Sequence, residues 1–271
     1  MKKKLFPSQI KTCPFDAVIF DLDGVITKTT MVHAAAWKET FDAFLKKRAK
    51  KTKEHFRAFT VEGDYLNYVD GKPRDEGVKG FLESREIRIP HGRKDDAPSQ
   101  ETICGLGNQK NIKFHSILQK TGADVYISTV VLIKDLRKNG IHVGVASSSK
   151  NCQLILESSK LENLFETRVD GVVSEELGLK GKPEPDIFIK AAENMKCKPK
   201  RSIVVEDAVS GVQAGAKGGF ALVIGVAREN NQEVLKTHGA DVVVTDFQGV
   251  NTKTITQWFD QQKGLPFSKE A

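Results

Sequence analysis

Asp21 and Asp23 are the residues of this 271-residue chain around which chemistry is most readily built. One leucine separates them, so on extended backbone both side chains point the same way. Val18, Ile19 and Phe20 come just before and read as a buried strand, and Gly24 permits a sharp turn just after. Two carboxylates at such a strand end suit a hard cation such as Mg²⁺, which takes oxygen ligands and keeps waters that a phosphate can displace. They also suit covalent phosphoryl transfer, in which a carboxylate oxygen attacks phosphorus and forms an aspartyl-phosphate. The plain alternative is an exposed acidic loop; it is disfavoured because open α/β sheets place ligands outside the carboxyl ends of their strands.

Three later stretches complement those acids. Ser147-Ser148-Ser149-Lys150-Asn151 follows an apolar run and offers hydroxyls and backbone N–H groups to a phosphate oxygen, although serine is equally an ordinary helix cap. In Gly181-Lys182-Pro183-Glu184-Pro185-Asp186 the prolines stiffen the loop around Lys182, whose charge can offset that of a transferring phosphoryl group. Glu206 and Asp207 close the run that begins at Ser202, and Gly211 beyond them lets the next helix pack closely.

The elements that must position these residues alternate. The periodicity predicts a helix over 31 to about 48, then only helical patterns, at 76–86 and 112–120, around a polar, proline-containing loop (88–99) until about 122. Strands are expected at 141–146, 169–173, 202–206, 220–226 and 241–244, with helices at 130–138, 150–158, 184–195, 209–216 and 254–262 between or after them. This order predicts an α/β fold: a doubly wound parallel-sheet, Rossmann-like core built from 1–28 and 125–271, with a helical cap domain, 29–124, inserted after the first strand.

An apolar fraction of 39% with 28% charged residues suits a soluble globular protein rather than a disordered or membrane one. The net charge of +7 is concentrated in Lys46-Lys47-Arg48-Ala49-Lys50-Lys51-Thr52-Lys53, which lacks aromatics for base stacking. No nucleic-acid partner and no membrane association are therefore expected, and the run reads as a solvated helix end. Cys13, Cys104, Cys152 and Cys197 show no metal-ligand spacing and read as reduced, packed thiols, so zinc is not expected. Residues 1–7 carry charge without an apolar region behind it, so no secretory signal is read and the cytoplasm is the expected location.

Taken together, Asp21-Leu22-Asp23-Gly24-Val25, Ser147, Lys182 and Glu206-Asp207 resemble the four motifs of the haloacid dehalogenase superfamily of phosphotransferases, and within it the chain most resembles the β-phosphoglucomutase subfamily. The resemblance covers nearly the whole chain and includes His33, Trp37, Gly71-Lys72-Pro73-Arg74 and Gln109-Lys110-Asn111 in the cap. It implies that Asp21 is the nucleophile and Asp23 the general acid and base, protonated when the cap shuts. Mg²⁺ would be held by Asp21, the main-chain carbonyl of Asp23, and Asp207, with Glu206 binding directly or through water. Ser147, Ser148 and Lys182 would bind the transferring phosphoryl group. In the cap, Arg74, with Lys72 beside it, would hold a second phosphate, while His33, Trp37, Lys110 and Asn111 would line or orient the sugar or the acid. The implied substrate is a small phosphorylated sugar and the implied form a monomer. The implied reaction converts β-glucose 1-phosphate to glucose 6-phosphate, the alternative being a sugar-phosphate phosphatase with the same catalytic residues. Two departures from the subfamily pattern, Lys28 and Tyr126-Ile127-Ser128, fall where the chain enters and leaves the cap.

Overall fold

Ala17–Phe20 form β1, and all four side chains are buried because each face of the strand is covered by helices. The computed structural model describes residues 13–228 and 230–262, so the charged segment at 1–7 lies outside the described residues. After β1 come α1 (Thr30–Thr52), a π-helical turn (Val61–Tyr65) continuing into the short α2 (Leu66–Tyr68), α3 (Arg74–Ser84), α4 (Ile103–Thr121) and α5 (Ile127–Lys138). The alternation then runs β2 (His142–Ala146), α6 (Cys152–Ser158), β3 (Thr167–Val169), α7 (Gly171–Leu177), α8 (Asp186–Asn194), β4 (Ser202–Glu206), α9 (Val209–Lys217), β5 (Leu222–Val226), α10 (Gln232–Thr237), β6 (Val242–Val244) and α11 (Thr252–Gln262).

The six strands pair in parallel in the order β3-β2-β1-β4-β5-β6. The order reverses direction beside β1, and a crevice outside the strand ends at such a switch point is where this architecture binds ligands. Alternation along the strands divides the core. Val18 and Phe20 face one apolar layer with Leu132, Ile133, Ile255 and Phe259, while Ala17 and Ile19 face another with Ile187, Phe188 and Val212. A third cluster, including Trp37, Phe41, Phe59, Phe81 and Leu106, joins α1, α3 and α4. Two adjacent backbone crossings tie those helices to the sheet: Lys28 N donates to Asp124 O (2.8 Å) and Tyr126 N to Ile26 O (2.9 Å). The two departures noted in the sequence meet here, with Lys28 Nζ 5.6 Å from the Tyr126 ring centroid and the Arg228 guanidinium 3.5 Å from it on the same ring.

One expected strand is corrected. Over 169–173 only Val169 is strand; Asp170 turns the chain, its Oδ1 accepting from Val172 N (3.0 Å) and Val173 N (3.1 Å), and thereby caps α7. The capping carboxylate outweighs the β-branched run of Val169, Val172 and Val173. The lysine run forms the last turns of α1, where Lys47 (2.7 Å) and Lys51 (3.1 Å) both pair with Glu101. All four cysteines are free thiols, and no described helix is long and apolar enough to cross a membrane.

Candidate active site

Each strand beside the switch point delivers its terminal side chains to one place. Asp21 follows β1, Ser147 follows β2, and Glu206 ends β4 with Asp207 next; the register holds Phe20 level with Val145 and Val205, so the three tips are level. Gly24, at φ +84°, turns the chain where a Cβ would meet the Asp207 carboxylate. Asp21, Glu206 and Asp207 offer carboxylate oxygens within 4.8 Å of one another. Lys182 lies beneath them, fully buried, with Nζ 2.5 Å from Asp21 Oδ1 and 2.6 Å from Glu206 Oε1. Glu206 is fixed by a second contact, Oε2 accepting from Ala208 N at 2.7 Å.

One lysine does not compensate this much negative charge. Burial, followed by the charge of Glu206, raises the Asp207 carboxyl well above its usual range. Burial does the same to Asp21, with Lys182 opposing and Glu206 and Asp23 adding to the rise. An all-oxygen donor set short of positive charge fits a hard divalent cation. The Asp23 carboxylate stands apart from that set. It accepts a short hydrogen bond from Thr29 Oγ1, Ser147 Oγ lies 3.5 Å from its Oδ2, and His33 Nε2 is 3.4 Å from its Oδ1.

The site closes over these groups from the side of α1, α3 and α4. Lys110 Nζ is 2.7 Å from His33 Nδ1 and sits over the rings of Trp37 (5.1 Å) and Phe114 (4.8 Å). Burial, then the charge of Arg74, depresses the Lys110 ammonium to about 7. Arg74 is half-buried, and it passes over Gly107, where a Cβ would lie 2.9 Å from its Cδ. Its Nη2 donates to Asn111 Oδ1 (2.9 Å), which also accepts from Asn151 Nδ2 (2.9 Å), while Asn151 Oδ1 meets His115 Nε2 (2.9 Å). That chain of amides links α3 and α4 to the loop after β2. Ser148 Oγ, donating to Gly71 O (2.8 Å), and Ser210 Oγ, donating to Asp70 O (3.2 Å), fasten the loop before α3 to the sheet in the same way.

The cavity enclosed by these groups is about 60 Å³ and is lined by Asp21, Asp23, His33, Trp37, Arg74 and Lys110 among others. Small-molecule sites are typically roughly 300–1,000 Å³, so the geometry is that of a shut site.

The sequence-predicted residues divide by position. Asp21, Asp23, His33, Trp37, Lys72, Arg74, Lys110, Ser147, Ser148, Glu206 and Asp207 all reach the cavity wall. Lys182 lies behind Asp21 rather than on that wall, and Asn111 points at Arg74 and Asn151 rather than inward. Trp37 stacks on Phe41 and supports Lys110. Burial pushes the Asp23 carboxyl up, but the nearby His33, the hydrogen bond from Thr29 and the charge of Lys110 outweigh it and hold it low. Sequence reasoning missed Tyr65 and Asp70, both on the wall. Burial raises Asp70 to about 7, with a Tyr65 hydrogen bond opposing and Glu206 adding. The signal for Asp70 was an acid directly before Gly71-Lys72-Pro73-Arg74, in a stretch otherwise read for its bases.

The family model of haloacid dehalogenase-like hydrolases matches residues 15–219. The chain belongs to the haloacid dehalogenase-like hydrolases. Among proteins similar to this one, a β-phosphoglucomutase of Mycobacterium bovis is 44% identical over 243 residues, covering 89% of this chain and 91% of its own length. A β-phosphoglucomutase of Bacillus subtilis is 29% identical over 251 residues, covering 91% and 96%. A crystal structure of β-phosphoglucomutase from Clostridium difficile superposes with a TM-score of 0.71 at 24% identity, over 92% of this chain and 99% of that one. That superposition shows the shared fold: a parallel sheet between helical layers, with the helices of α1 to α4 placed above the strand tips.

Proposed function

We propose that this haloacid dehalogenase-like enzyme transfers a phosphoryl group between hydroxyls of a hexose through Asp21, converting β-glucose 1-phosphate to glucose 6-phosphate by way of a bisphosphate. The observation that carries this reading is the pairing of two anion sites across one small cavity. Asp21, Ser147 and Lys182 gather at the strand tips, while Arg74 and Lys110 face them from α3 and α4. A sugar carrying phosphate at both ends fits that polarity, and the similarity to the M. bovis and B. subtilis proteins named β-phosphoglucomutase supports it.

Asp21 Oδ attacks phosphorus, the P–O bond to the sugar breaks, and the sugar oxygen takes a proton from Asp23. In the reverse half-reaction Asp23 removes a proton from the other hydroxyl, which attacks the phosphoryl group on Asp21. Ser147 and the main-chain N–H of Ser148 hold the equatorial oxygens, and Lys182 offsets charge from beneath. Ser148 Oγ already donates to Gly71, which leaves its main-chain N–H for phosphate and makes its hydroxyl a fastener of the shut state. Asp23 has to carry a proton when the sugar oxygen leaves, and the negative charge of the substrate's phosphate beside it favours that form. Asp21, the main-chain carbonyl of Asp23, Glu206 and Asp207 would hold Mg²⁺, which when bound neutralises charge on the transferring phosphoryl group. Residues 29–124 move as a cap about the paired crossings near Lys28 and Tyr126, because a 60 Å³ cavity admits no hexose phosphate. Shutting then excludes the water that would otherwise discharge Asp21.

The test is to supply β-glucose 1-phosphate, a hexose bisphosphate primer and Mg²⁺, and to measure glucose 6-phosphate and inorganic phosphate separately. Glucose 6-phosphate in large excess over phosphate is expected. Phosphate without glucose 6-phosphate would replace the mutase reading with the sugar-phosphate phosphatase one, which uses the same residues with water as acceptor.

A further inference from the structure

Away from the strand tips, three unlike donors meet beside α3 and α4. A carboxylate oxygen of Asp75, a ring nitrogen of His91 and Sγ of Cys104 all lie within 4.8 Å of one another. Each comes from a different piece of chain. Asp75 is in the first turn of α3, Cys104 in the first turn of α4, and His91 on the loop between them. Backbone bonds fix that loop against the helix bearing the thiol: Ile103 N donates to Pro90 O and Cys104 N to His91 O, both at 3.0 Å. Cys104 is buried, with Sγ 4.0 Å from Asp75 Oδ2, whereas His91 is exposed and free to adjust.

We propose that Asp75, His91 and Cys104 form a second cation site that takes a borderline-soft divalent ion of the zinc class. Thiolate, imidazole and carboxylate are the donors such an ion selects, whereas Mg²⁺ avoids sulfur. Tetrahedral coordination with bonds of about 2.0–2.3 Å brings donors to roughly 3.5 Å apart, so a movement of about 1 Å, mostly by His91, closes the site. Binding replaces the Cys104 S–H bond by a sulfur–metal bond and releases the proton to solvent. Of the cations close by, Lys94 and Lys150 are both paired with Glu175. Entry is open: Asp75 and His91 line a cavity of about 750 Å³ between α3 and the loops after β2 and β3. Since Asp75 adjoins Arg74, an ion here also pins the start of the helix that carries the second anion site.

Titration of the reduced, full-length protein with Co²⁺ in saturating Mg²⁺ tests this without reference to turnover. The expected result is one Co²⁺ per chain, with the near-ultraviolet thiolate-to-cobalt band and the intense visible bands of four-coordination. Cys104→Ser removes the thiolate band, Cys197→Ser keeps it, and His91→Ala, an exposed loop change that leaves the fold intact, weakens binding by more than about tenfold. Absence of a thiolate band in the native protein, its persistence in Cys104→Ser, or unchanged affinity in His91→Ala would each overturn the site.

Discussion

Replacing Gly211 by alanine tests how tightly the carboxylate cluster is built. In an ordinary helix the exchange stabilises by about 1 kcal/mol. Here a Cβ on Gly211 would lie 1.7 Å from Glu206 Oε1 and 2.0 Å from its Cδ, well inside contact distance, so the Glu206 side chain has to leave its position. That side chain is fully buried and accepts from Lys182 Nζ at 2.6 Å and from Ala208 N at 2.7 Å. Breaking a buried pair of this kind costs about 3–5 kcal/mol. After the helix-propensity gain, the net loss is on the order of 2–4 kcal/mol, and the melting temperature falls by roughly 10 °C. The same displacement removes one candidate metal ligand, so Mg²⁺-dependent turnover measured well below the melting point should fall by more than tenfold. Gly215→Ala, whose Cβ would lie 3.1 Å from Val223 Cγ2, is the milder control. Circular-dichroism melts and turnover assays decide it: a Gly211→Ala protein as stable and active as the native one would refute the reasoning.

Two further outcomes are expected. Arg74→Ala should raise KM for a hexose phosphate by roughly 10–100-fold, the loss of about 1.5–3 kcal/mol from a charged hydrogen-bonding group, with hydrolysis of a small aryl phosphate unaffected; equal losses on both substrates would remove Arg74 from a second anion site. Lys110 has its folded-state value depressed to about 7 by burial and then by Arg74, so below pH 7 the folded chain carries the full penalty of a buried ammonium. Between about pH 7 and 10.5 the unfolded chain binds a proton that the folded one has released, and this group's contribution to stability rises with pH. Lys110→Met should therefore stabilise the protein more at pH 6 than at pH 10, and denaturant titrations giving equal differences at the two pH values would contradict the assignment.

Much of the sheet was legible because buried parallel strands leave uninterrupted apolar runs, as in Ile203-Val204-Val205 before Glu206 and Val143-Gly144-Val145-Ala146 before Ser147. The reading failed where a side chain that hydrogen-bonds the backbone overrode propensity, as Asp170 does at the start of α7. It fell short again at α4. Gly105 and Gly107 obscured a helix that begins at Ile103 under a Thr102 cap, and only in three dimensions does Gly107 emerge as the floor under Arg74. The π-helical turn at Val61–Tyr65 is held by Thr60 and Asp64, with Asp64 in turn pairing with Arg85 at 2.8 Å, and no periodicity announces such a turn. At the site, spacing picked out the groups at the strand tips. It could not show which expected residues face the cavity, so Asn111, expected to orient the sugar or the acid, lies against Arg74 and Asn151, and Tyr65 with Asp70 went unread.

The central claim is that the phosphoryl group passes through the carboxylate of Asp21, and the most direct measurement is to find it there. The enzyme is mixed with labelled hexose bisphosphate and Mg²⁺, quenched within one turnover, reduced with borohydride to convert any aspartyl-phosphate to homoserine, and read by peptide mass spectrometry. The account predicts homoserine at position 21 alone and none in Asp21→Asn, which should also form no product. Modification at another residue, or product formed by Asp21→Asn at the native rate, would contradict it.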